Sequence, residues 1–107
     1  MEAIDREQVI DYINGVYHRK FVVLENQIEV AENHVNDWQF CMDMTLNYIA
    51  MGEEMTPARY AEMLRDQIII CTKKKETLEI SQLLFDLDVD TMSDQDLVAH
   101  CRKVVAM

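Results

Sequence analysis

Apolar residues recur along the first half of the chain at Ile10, Ile13, Tyr17, Phe21, Leu24, Ile28, Ala31, Val35, Trp38, Met42 and Ile49, with Thr45 in one further place. From Leu24 to Ile49 the steps alternate between four and three, the seam of a coiled coil. An extra four-residue step from Tyr17 to Phe21 is a stutter that locally unwinds such a seam. Because the phase is kept throughout, the pattern predicts one helix over about 5–51, even though Asn33, Asn36 and Asp37 weaken local helix propensity. Gly52 supplies a stop, since glycine closes helix C-termini at little steric cost.

Thr56-Pro57 marks a restart: threonine accepts from free N–H groups, and proline at the first helical position gives up no needed donor. A second helix is predicted over 57–86, with Tyr60, Ala61, Leu64, Ile68, Cys71 and Leu78 facing the core and the face drifting later to Ile80, Leu83, Leu84 and Leu87. The run Ile68 to Cys71 has the composition of a buried strand, but its flanks are strong helix formers.

In "DLDVDTMSDQDL", residues 86 to 97, aspartates fall at almost every second position. A helix-loop-helix calcium site needs acids at its first, third and fifth positions, glycine at the sixth and glutamate at the twelfth. Asp86, Asp88 and Asp90 fit, but Thr91 and Leu97 occupy the last two positions. A helix start explains more residues: Ser93 as the cap, Asp96 in a variant capping box, Met92 stapled on Leu97, and Asp94 and Asp96 at the positive end of the dipole. A last helix is therefore predicted over 94–106, with weak divalent binding by the three aspartates left open.

The predicted fold is a single all-α domain spanning 1–107: a long helical hairpin, coiled-coil-like, with a short C-terminal helix and completed by dimerisation. Composition agrees. Two glycines and one proline among 107 residues are too few turn formers for a β-protein of this size. No stretch has the length and apolarity of a membrane span, and the start "MEAIDREQ" lacks the basic, then apolar pattern of a secretory leader, so a cytoplasmic location is expected. Three widely spaced cysteines, Cys41, Cys71 and Cys101, suit buried thiols better than a disulfide framework.

Twenty acids against ten bases give a net charge of −10, which repels phosphate backbones and anionic lipids. Direct binding to nucleic acid or membrane is thus not expected. Glu25, Glu29 and Glu32 share one helix face; as a solvated surface they need no explanation, and as a regular acidic strip they could imitate a phosphate backbone in another protein's basic groove.

Candidate chemistry is sparse. Glu29/Glu32 has the ExxE spacing of a magnesium-dependent nucleotide hydrolase, but the second pair such an enzyme needs is poorly supplied by Glu62/Asp66 or Glu76/Glu79. His18, His34 and His100 are scattered, and His34 lies too far along a helix from Cys41 to share a zinc ion with it. No catalytic residue, metal or cofactor is predicted, and the chain is not expected to be an enzyme.

The informative stretch is "WQFCMDMTLNYIAM", residues 38 to 51. On a helix, Trp38, Cys41, Met42, Thr45, Leu46 and Ile49 form the expected core seam, while Phe40, Met44, Tyr48 and Met51 form a second stripe. A helix apolar on two sides needs cover on two sides. The expected function is a protein-protein interaction module, an adaptor, chaperone or inhibitor, that binds its partner through Phe40, Met44, Tyr48, Met51 and Met55. The last helix folding back over that stripe is the intramolecular alternative, and the acidic mimic is the alternative function.

Overall fold

A computed structural model describes residues 4–107. Among them the chain is all-helical: α1 (Arg6–His34), α2 (Trp38–Ala50), α3 (Pro57–Asp88) and α4 (Asp94–Ala106), with one 3-10 turn over Val89–Thr91. No described helix is long and apolar enough to cross a membrane. Two compact units are formed, one by the chain up to Val23 together with Glu76–Met107, the other by Leu24–Lys75. Helices α1 and α3 contribute to both.

The start signals read from sequence are realised as hydrogen bonds. Thr56 Oγ1 accepts from the Arg59 N–H at 3.1 Å and starts α3 at Pro57. Ser93 Oγ accepts from the Asp96 N–H at 3.1 Å and starts α4, so the aspartate-rich stretch is the end of one helix and the entry to the next. At the end of α2, Gly52 sits at φ +86°, the Gly52 N–H donates to Ile49 C=O and the Glu53 N–H to Tyr48 C=O, both at 3.0 Å. This paired closure satisfies two carbonyls that the helix end would otherwise leave free.

The single helix expected over 5–51 is two helices. Asp37 has an extended backbone (φ −90°, ψ 98°) and its carboxylate accepts from the Phe40 N–H at 3.1 Å, which makes it the N-cap of α2. The Asp37 N–H donates to His34 C=O at 3.0 Å, and the His34 and Phe40 rings stack at 3.8 Å across the corner. An aspartate that can bond the backbone locally competes with helix continuation, and here it wins.

In the first unit, α1 and α3 run antiparallel: Arg6 bonds Val89 C=O, while Tyr17 reaches Ser81. Helix α4 runs parallel to α1, with Arg6–Asp94, Tyr17–His100 and Lys20–Met107 contacts in sequence order. Three helices therefore close on Ile13, Val16, Tyr17, Leu78, Phe85, Leu97 and Val104, all buried. In the second unit α1 and α3 are again antiparallel, through Glu25–Lys75 and Gln27–Cys71, and α2 adds Cys41 and Thr45 to a core containing Leu24, Ala31 and Cys71. Thr45 is buried without cost because its hydroxyl donates to Cys41 C=O at 2.7 Å.

The core face of α3 does not drift as its sequence suggests. After Tyr60 and Ala61, protected as expected, it follows Leu64, Ile68, Cys71, Lys75, Leu78, Gln82 and Phe85, a seam in steps of four and three that passes straight through a lysine and a glutamine, with Ser81 beside it. Lys75 is tolerated there because its amine reaches Glu25 at 3.4 Å while its stem lies along the helix. Ile80, Leu83, Leu84 and Leu87, expected inside, are exposed.

Candidate partner-binding surfaces

With its own N-cap and C-terminal closure, α2 is free of the phase of α1, and this splits its expected core seam: Cys41 and Thr45 are buried as expected. Trp38 is 63 % exposed and Ile49 53 %, with Leu46 also exposed and Met42 half-buried. Trp38, Leu46 and Ile49, expected in the core with Cys41 and Thr45, are instead open to water, and Met42 lies between. Phe40, Met44 and Tyr48 are half-buried in contact with their own chain. Phe40 stacks on His34 and tilts toward Tyr60 at 6.1 Å, and Tyr48 meets Tyr60 at 6.1 Å from the other side. Cover for that stripe comes from the second unit's own α1 and α3. Burial raises the pKa of the Tyr60 hydroxyl, and the neighbouring Tyr48 and Cys41 push in the same direction.

Of the remaining residues expected at a partner surface, Met51 is 76 % exposed at the end of α2 and Met55 is half-buried in the following loop. Met51 is thus open to water at the end of its stripe, whereas Phe40 and Tyr48 are joined to Tyr60. In the acidic strip Glu29 and Glu32 are exposed, but Glu25 is engaged by Lys75, so the row of free carboxylates is shortened from its first member.

The first unit contains a polar cluster with no motif in the sequence. The Tyr17 hydroxyl is shared between Ser81 Oγ at 2.6 Å and His100 Nε2 at 2.9 Å, and the His100 ring stacks on Phe85 at 4.6 Å and 10°. Burial lowers the His100 pKa, with Lys103 adding to the effect, so the imidazole is neutral at pH 7. Burial raises the Tyr17 pKa, and although the Ser81 bond opposes this, the phenol keeps its proton. The cluster satisfies three polar groups in a core position. Only the seam position of Tyr17 was readable beforehand.

Among the described residues no three His, Cys, Asp or Glu side chains converge as ligands for an ion. Beside the polar cluster, α3 and α4 enclose an open groove of about 500 Å³ with Phe85 and His100 on its floor. No family model, curated protein or solved structure matches this chain.

Proposed function

We propose that the protein is a non-catalytic interaction module, acting as an adaptor, chaperone or inhibitor, and that it works by burying the outward face of α2 against another helix. The observation that carries this is the row Trp38, Met42, Leu46 and Ile49: successive turns of a 13-residue helix, with the largest side chain 63 % in water. Such a row is the contact spacing of one helix on another, and the methionine at 42 makes it adaptable.

The occupant that fits with least electrostatic cost is α2 of a second copy. A chain of net charge −10 repels its own kind over most of its surface. Helix α2 carries a single charged residue, Asp43, on its polar side, so two copies can meet there without opposing rows of acids. The homodimer is thus the assembled form, and its second unit is completed by the partner's helix.

Light scattering on the purified chain tests this. A mass twice 12.6 kDa that falls to one chain in Leu46→Glu, with helicity unchanged, supports the reading. A single-chain mass at every concentration, or a dimer indifferent to Leu46→Glu and Ile49→Glu, overturns it.

A further inference from the structure

The groove in the first unit has walls of a particular kind. On α3 it is lined by Thr77, Ser81, Leu84 and Asp88, and on α4 by Asp96, His100, Lys103 and Met107. Both sets follow the spacing i, i+4, i+7, i+11, with which a helix presents itself to another helix lying alongside. Each wall therefore runs for about 16 Å, or three helical turns. Ile80, Phe85 and Met92 make the space between them predominantly apolar, and Ile80 and Leu84 are exposed there. The unit is a three-helix bundle with a lane open for one more short helix.

Charge along that lane is polarised. The C-terminal end of α3 and the start of α4 place Asp88 and Asp96 at one end, and Lys103 lies toward the other. A helix is itself polarised, favouring acids in its first turn and bases in its last. The side-chain charges of such a helix complement the groove when it ends beside Asp88 and Asp96, running antiparallel to α4, the bases of its last turn outweighing the partial negative charge of its own C-terminus. We infer that this groove is a second docking site, for an amphipathic helix of about three turns from another protein, apolar along one side and basic in its last turn.

Occupancy by α2 of a second copy is disfavoured by the same charges. Helix α2 has a suitable length and an exposed apolar row, but it contains no Lys or Arg, so its last turn would leave Asp88 and Asp96 unanswered at the acidic end of the groove. The site is independent of the α2 face, so either can fail without the other.

The test uses the full chain and a labelled synthetic peptide of about fourteen residues, with leucines at i, i+4, i+7 and i+11, a glutamate in its first turn and lysines in its last. Fluorescence anisotropy should show saturable binding, weakened by salt and lost when the leucines are scrambled. The double charge reversal Asp88→Lys with Asp96→Lys, at two exposed positions, should weaken binding about tenfold or more and favour a peptide whose lysines are replaced by glutamates. Trp38→Glu should leave binding unchanged. No binding beyond the scrambled peptide, or equal binding to the charge-reversed protein, overturns the inference. So does a dimer that Leu84→Gln dissociates, because the lane would then hold a second copy.

Discussion

Helices α1 and α2 carry one continuous apolar phase, and the molecule treats its two parts differently. In α1 the seam residues Ile13, Tyr17, Leu24 and Ala31 are buried, while the same phase continued into α2 keeps Thr45 inside but leaves Trp38 and Ile49 in water, with Leu46 beside them. Periodicity decides which residues share a helix face. It does not decide which face a neighbour covers, and once Asp37 breaks the backbone the second helix turns independently.

The same lesson holds within α3. Its two rows compete for the interior, one purely aliphatic (Ile80, Leu83, Leu84, Leu87) and one interrupted by Lys75 and Gln82. The interrupted row is inside, because Cys71, Leu78 and Phe85 recur every seven residues and remain opposite α1 within their units, whereas the aliphatic row turns away after Leu78.

Replacing residues of the two rows should separate them most sharply. Phe85→Ala, deep in the first unit, should cost about 3–5 kcal/mol in chemical denaturation, whereas Leu87→Ala, at a site 70 % exposed, should change stability by about 0.5 kcal/mol or less. Equal effects would mean the rows are wrongly assigned.

The break between α1 and α2 can be probed at its cap. Asp37→Ala removes the acceptor for the Phe40 N–H and should destabilise by about 1 kcal/mol, while Asp37→Asn, which keeps an acceptor, should cost less. A helix running unbroken through this point would gain from the alanine instead. At the other end of α2, Gly52→Ala meets no side chain but must hold a positive φ, and a loss of about 1 kcal/mol is expected from the backbone alone.

Acid should act on the first unit through His100. Its pKa in the folded state lies below the ordinary value of 6.5, so below that value the unfolded chain takes up a proton that the folded chain refuses. The associated stability is complete above pH 6.5 and is lost as the pH falls toward the folded-state pKa. His100→Gln should flatten the slope of Tm between neutral and mildly acidic pH. One small effect should be a gain: Gly15→Ala in mid-α1 adds a methyl whose nearest neighbour, Arg19 Nη1, is at 3.5 Å, and should stabilise by about 0.5–1 kcal/mol.

Much of the fold was legible in the sequence. Starts at Pro57 and Asp94 and the stop at Gly52 lie within local capping chemistry, which a short window contains in full. The break at Asp37 had the same kind of signal, but an unbroken hydrophobic phase outweighed it. The polar cluster of Tyr17, Ser81 and His100 had no such signal, because its members are 64 and 83 residues apart in the chain. The groove beside it was equally hidden, since its walls follow from which row of α3 turned inward.

The central claim is that the outward row of α2 is open in one chain and covered in the assembled form. Trp38 is the only tryptophan, so its emission reports this row directly. On concentrating the protein through its association range, the emission should move to shorter wavelength and become protected from a soluble quencher, in step with the rise in mass, and Leu46→Glu should abolish both changes. Emission that stays at the wavelength of water-exposed indole and remains fully quenchable while the mass doubles would contradict the account.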